Sequence, residues 1–180
     1  MLAAKKLQQR YPSLVVFIPS CRKVFDERFK KAFRKYQVKG QVISQKDNAR
    51  LKPYIYSLTK IALCKSGTVN MELALYGIPQ IVGYRVSRIT AFIAKKILNF
   101  KVRFISPVNL LVNRYVIPEF VQREFDEKKI FYKSCKILEE NSEKIKIKKG
   151  YDFLKKELGE EGVVKRAAKE IINCLLYTSP

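Results

Sequence analysis

Residues 65–85 read KSGTVNMELALYGIPQIVGYR and follow directly on the apolar run IALC, residues 61–64. The segment divides into a strand end, a Ser-Gly-Thr turn, two turns of helix, a stop at Gly77 and Pro79, and a second strand. A buried strand, a helix and a further buried strand make a βαβ unit, which implies parallel pairing.

The flanking sequence repeats the alternation. Residues 14–19, LVVFIP, form a continuous β-branched and aromatic run, the pattern of a strand buried on both faces. Residues 25–36 predict an amphipathic helix, with Phe25, Phe29 and Phe33 at four-residue steps. Gly40 leads into a brief strand, QVIS, and a helix over 51–59 precedes the strand at 61–64. Residues 1–10 predict a short basic helix that Tyr11 and Pro12 end. Downstream of the helix at 69–76 and the strand at 80–84, Ser87 caps a basic amphipathic helix over 87–98. A proline-containing loop at 105–114 then gives way to helices over 118–124, 126–139, 143–158 and 163–176.

The fold class is therefore α/β: a Rossmann-like parallel sheet with helices on both faces, followed by C-terminal helices. The domain expected is 1–140, with 141–174 as helices packed on it or on a further domain. The ending CLLYTSP breaks the helical pattern and has the look of translated vector sequence, so residues 175–180 are set apart from the functional reading. A helix opens the chain and feeds a central-looking strand, so a preceding strand and turn are expected outside it.

Composition narrows the function. With 37 Lys and Arg against 16 Asp and Glu, the formal charge is +21. Such a surface attracts nucleic acid, acidic lipid or a phosphorylated substrate, and charge alone does not choose among them. The chain has no histidine, which removes the commonest general base and the commonest metal ligand. Cys21, Cys64, Cys135 and Cys174 are scattered without paired spacing, as in a reducing compartment. No apolar run approaches the roughly 20 residues of a membrane span. Lys5 and Lys6 interrupt any signal-peptide core, so the cytosol is the expected setting. No helix-turn-helix, RNP or zinc pattern accompanies the charge, and no specific nucleic-acid partner is expected.

The Ser-Gly-Thr turn has its own chemistry. A helix start leaves about four backbone N–H groups without intrahelical partners and carries a partial positive charge. Gly67 lets an anion come close, while Ser66 and Thr68 add hydroxyl groups. Glu72 lies one turn further, where a carboxylate can accept two hydrogen bonds from a ribose diol. The plainer alternative is that Ser66 or Thr68 caps the helix and Glu72 favours its start.

The longer pattern closely resembles the C-terminal half of the lipid-A-disaccharide synthase family. The residues that carry it are Ser66-Gly67-Thr68, Glu72, Pro79, Gly83-Tyr84-Arg85, Thr90 to Lys95, Pro107-Val108-Asn109-Leu110, and Pro118-Glu119 with Gln122. Val108 is an insertion between the expected Pro and Asn, and Met71 replaces the usual leucine before Glu72. The resemblance implies the C-terminal domain of the two-domain B-type glycosyltransferase fold. It also implies metal-independent, inverting transfer from UDP-2,3-diacylglucosamine to 2,3-diacylglucosamine 1-phosphate, with no cofactor. Ser66, Gly67 and Thr68 are then expected at the pyrophosphate and Glu72 at the ribose. Arg85 and Asn109 are expected to reach phosphate or sugar, with a surface ion pair and a loop-organising side chain as their alternatives. Tyr84, Glu119 and Gln122 are further substrate-binding candidates, Glu119 having a simple helix-start role as its alternative. No catalytic residue is assigned here, because the family's base belongs to the N-terminal domain, and the chain alone is expected not to turn over. A peripheral position on the inner face of the inner membrane follows from acylated substrates and a basic surface. A homodimer is left open. Another UDP-N-acetylglucosamine enzyme of the same architecture, a peptidoglycan transferase or an epimerase, is the nearest rival.

Overall fold

The computed structural model describes residues 1–85, 103–159 and 162–177. Among these residues, short strands alternate with helices: α1 (Leu2–Arg10), β1 (Val16–Pro19), α2 (Lys23–Tyr36), β2 (Gly40–Ile43), α3 (Gln45–Leu58), β3 (Ala62–Lys65), α4 (Thr68–Leu75) and β4 (Gln80–Tyr84). There follow α5 (Pro107–Leu111), β5 (Glu119–Val121), a single 3-10 turn (Gln122–Glu124), α6 (Glu127–Glu139), α7 (Asn141–Leu158) and α8 (Val163–Tyr177). Every strand pair is parallel, and the fold is Rossmann-like α/β. The pairing divides into β1–β2 and β3–β4–β5, with no ladder joining the two groups among the described residues.

Local chemistry sets the boundaries. Ser44 caps α3 by accepting the Asp47 amide, so that helix starts well before the expected residue 51 and carries Pro53 inside it. Asp126 caps α6 by accepting the Lys128 and Lys129 amides. Gly77, at a φ of +72°, turns the chain out of α4: its N–H bonds the Ala74 carbonyl while the Ile78 N–H bonds that of Leu73. This left-handed exit with paired back-bonds is the glycine stop that the sequence pattern implied.

Several expectations are corrected. Residues 118–124 are not an α-helix: Glu119–Val121 pair with β4 as β5, because the apolar pair Phe120 and Val121 completes a sheet edge that a short helix could not fill. The loop at 105–114 contains the helical turn α5, capped by Ser106. Residues 14–19 are not buried on both faces; β1 alternates, with Val15 and Phe17 exposed, and Leu63 of β3 is exposed as well. Among the described strands only β4 is covered on both sides, through Gln80, Ile81 and Val82. The helix expected at 87–98 lies outside the described residues. α8 continues to Tyr177, so the helical pattern does not break at Cys174.

The main core gathers on β4: Ile81 and Val82 pack with Ala74 of α4, Val108 of α5, Ile137 of α6, and Ile147, Tyr151 and Leu154 of α7. A smaller cluster of Ala4, Phe33 and Val38 sits against β1 and β2. Lys6–Glu127 and Arg10–Glu139 ion pairs tie α1 to α6. Both are solvent-accessible and contribute little beyond orientation.

Gly150 lets α7 approach the core, since a methyl group there would overlap the side chain of Val116. Ordinarily glycine to alanine in a helix gains up to about 1 kcal/mol. Here overpacking outweighs that gain: Gly150→Ala is expected to destabilise by about 1–3 kcal/mol in urea denaturation, with relief from an added Val116→Ala.

Candidate functional site

Parallel pairing brings the carboxyl ends of β3, β4 and β5 to one edge. Lys65 pairs with Gly83, and Tyr84 with Val121. The residues that follow these pairs therefore share that edge: Ser66, Gly67 and Thr68 after β3, Arg85 after β4, and Gln122 after β5. In open parallel sheets this is where ligands sit.

Several groups hold the β3–α4 turn. Asn70, fully buried, accepts the Gly67 N–H at 2.9 Å and donates to the Lys65 carbonyl at 3.3 Å, spanning the turn from within. The Ser66 hydroxyl donates to the Ile105 carbonyl, binding the turn to the loop before α5. Ser66 and the Gly67 amide are therefore engaged by the protein. The amides of Thr68 and Val69 head the first turn of α4, where helix geometry gives them no intrahelical acceptor. Thr68 is exposed beside them.

Glu72 lies four residues beyond Thr68 and forms an ion pair with Lys52 of α3. Tyr56 stands next to that carboxylate and meets Tyr76 edge-on at 5.0 Å. Burial, reinforced by the Glu72 charge, pushes the Tyr56 phenol up to about 12, so it stays protonated at neutral pH. Arg85 is exposed, and Tyr84 is half-buried with Lys65 Nζ 5.5 Å from its ring centroid. Gly83 is glycine for a steric reason, because the Phe125 ring occupies the place of a β-carbon.

Asn109 and Glu119 lie behind the edge. Asn109 is fully buried; its Oδ1 accepts the amides of Val116 at 2.8 Å and Ile117 at 3.0 Å, and its Nδ2 donates to the Ile117 carbonyl and Glu119 Oε1. The Glu119 carboxylate also accepts the Ile105 amide, the Ser106 amide and the Ser106 hydroxyl, the last at 2.6 Å. Of the two roles weighed for Asn109, this geometry supports the loop-organising one. Glu119 complements a helix start, as its alternative held, but that of α5 and not its own. Gln122 leaves β5 in a left-handed conformation, φ +54°.

The sequence reading missed Lys65 and Lys52. Both are basic side chains among 37, and no local pattern separates them. Only strand register puts Lys65 on Tyr84, and only the placement of α3 puts Lys52 on Glu72.

An open parallel sheet with a small-residue strand-to-helix turn at its carboxyl edge defines a Rossmann-like α/β domain. The family model described as lipid-A-disaccharide synthetase matches residues 1–173. The chain is 44% identical to a lipid-A-disaccharide synthase of Prochlorococcus marinus (strain MIT 9313) over 171 residues, which is 95% of this chain and 44% of that protein. It is 35% identical to the synthase of Gloeothece citriformis (strain PCC 7424), over 95% of this chain and 43% of the relative. For the synthase of a Synechocystis strain the identity is 31%, over 94% and 42%. This chain belongs to the lipid-A-disaccharide synthase family. It spans less than half the length of these curated relatives.

The contrast between buried and exposed candidates is measurable. Asn109→Ala leaves the buried Ile117 amide without an acceptor and takes one of two from the Val116 amide, and is expected to lower unfolding stability by about 2 kcal/mol. Arg85→Ala, on the exposed edge, is expected to stay within about 0.5 kcal/mol. Urea denaturation of the two variants in parallel checks both.

Proposed function

We propose that this chain supplies the UDP-binding part of a glycosyltransferase of lipid A biosynthesis. The diphosphate sits over the β3–α4 turn, against the Thr68 and Val69 amides and the Thr68 hydroxyl, with Lys65 and Arg85 as the neighbouring cations. Glu72 receives the ribose diol, exchanging its ion pair with Lys52 for two hydroxyl donors. The donor is UDP-2,3-diacylglucosamine and the acceptor 2,3-diacylglucosamine 1-phosphate; the products are the lipid A disaccharide 1-phosphate and UDP, with inversion at the anomeric carbon. As the glycosidic bond breaks, negative charge grows on the UDP oxygens. Fixed N–H dipoles and two cations at that edge stabilise this charge more than they stabilise the ground state. The acceptor's hydroxyl proton goes to a base outside these 180 residues.

One observation carries this reading. Nothing in the fold asks for glycine at position 67: its φ of 162° is extended backbone open to any residue, and a β-carbon there would meet no atom within 4 Å. The missing side chain leaves open space directly in front of the helix start. A ligand requirement explains the glycine where packing does not. Family membership supports the identity of that ligand.

Gly67→Ala in the full-length protein is therefore expected to change stability by less than about 1 kcal/mol. It should weaken UDP binding by about tenfold or more, because a methyl group holds the phosphate off the amides. Isothermal titration with UDP beside thermal melts measures both, and wild-type affinity in the variant would refute the placement.

The same reading assigns the basic surface to an anionic bilayer. Exposed cations line α2 (Lys23, Arg28, Lys30, Lys31, Arg34, Lys35) and α7 (Lys144, Lys146, Lys148, Lys149, Lys155, Lys156). No helix among the described residues is long and apolar enough to cross a membrane. Vesicles containing acidic lipid are expected to sediment the protein at low salt and to release it as salt rises, while neutral vesicles leave it in solution.

A further inference from the structure

Three polar side chains run from helix α7 to the β3–α4 turn without reaching solvent. Tyr151 is 2% exposed, and Gln80 and Asn70 are both 0% exposed. The Tyr151 hydroxyl donates to the Ile78 carbonyl at 3.0 Å and accepts from Gln80 Nε2 at 3.1 Å. Gln80 Nε2 also donates to the Asn70 carbonyl at 2.9 Å, while Gln80 Oε1 accepts from Asn70 Nδ2 at 3.0 Å. Asn70 Oδ1 in turn accepts the Gly67 amide. The Cys64 thiol also faces Gln80 Oε1 and Asn70 Nδ2. Burial pushes this thiol up to about 11 and pushes the Tyr151 phenol up as well, so neither ionises near neutral pH.

The direction of every bond in this chain is fixed. Gln80 has only one orientation that satisfies both ends, since a flip would set its oxygen against the Asn70 carbonyl and its amide against Asn70 Nδ2. The Asn70 carbonyl and Nδ2 set that orientation, and the Tyr151 hydroxyl, its proton held on the Ile78 carbonyl, accepts the remaining Gln80 N–H and anchors the side chain in it. A buried network of this kind has no water to substitute for a lost partner, so an error at one end passes to the other.

We infer that Tyr151, Gln80 and Asn70 are positioning residues: a buried relay by which α7 fixes the β3–α4 turn in the conformation that receives the diphosphate. This rests on the placement of the nucleotide proposed above. None of the three touches the ligand. Their effect passes through the Gly67 N–H, whose capture by Asn70 aims the adjoining Thr68 and Val69 amides outward.

The relay makes a prediction that a purely structural role does not. Tyr151→Phe keeps the ring packing and removes one hydroxyl. In the full-length protein it should speed hydrogen exchange at the Gly67 amide and weaken UDP binding, each by roughly threefold to tenfold. Affinity for uridine, which lacks the diphosphate, should not change. Gln80→Met, matched in size, should do the same if the phenylalanine variant fails to fold. Ile137→Val trims the same core without touching the relay and should lower the melting temperature with no change in either affinity. Equal loss for UDP and uridine, or unchanged Gly67 exchange in a folded variant, would overturn the relay. Should the wild-type protein bind no UDP at all, the nucleotide placement fails, and Gly67 exchange still decides whether the relay holds the turn.

Discussion

A strand that ends in a tight turn into a helix leaves backbone donors and acceptors that neither element can pair, and in a covered sheet water cannot reach all of them. Asn70 answers that constraint in this protein. Its side chain pairs the Gly67 N–H and the Lys65 carbonyl from inside, and Gln80 holds it there from the neighbouring strand. With the inner groups satisfied, the outward amides at the start of α4 are free to face a ligand. Removing that amide side chain would leave several buried polar groups unpaired at once, a cost that hydrophobic packing nearby does not offset.

A second polar cluster performs the same service for the loop before β5. Glu119 and Asn109 between them pair the amides of Ile105, Ser106, Val116 and Ile117, which closes residues 105–117 into a compact unit around α5. Ser66 joins the two clusters through the Ile105 carbonyl. The sheet edge is thus braced on both sides of the turn, and its exposed groups (Thr68, Arg85, Lys65) project from a rigid base. Precise placement of this kind is what the electrostatic role proposed for the edge requires, because dipoles that must reorient during a reaction lose much of their effect.

The charge of the chain fits the same picture at longer range. An excess of 21 positive charges favours anionic partners of any kind, and salt screens that attraction within about a nanometre. Attraction alone gives no selectivity. Selectivity must come from short-range features: the open space at Gly67, the Glu72 carboxylate on its Lys52 partner and the fixed amides.

Much of this was legible in the sequence. The alternation of apolar runs with amphipathic helices determined parallel pairing, and β4 was bounded correctly because its run is closed by Pro79 before and Arg85 after. The Ser-Gly-Thr turn, the Gly77 stop and the helix start, expected at Val69 and found at Thr68, were equally local signals. What the sequence could not determine was which polar residues face inward. Asn70 and Gln80 look like ordinary polar residues, Asn109 and Glu119 looked like ligand groups, and residues 118–124 looked like a helix. Hydrogen bonding between residues 10 to 71 positions apart decided each of these cases. Local propensity depends on neighbours in sequence, whereas the partner of a buried amide, and the edge that recruits β5, depend on neighbours in space.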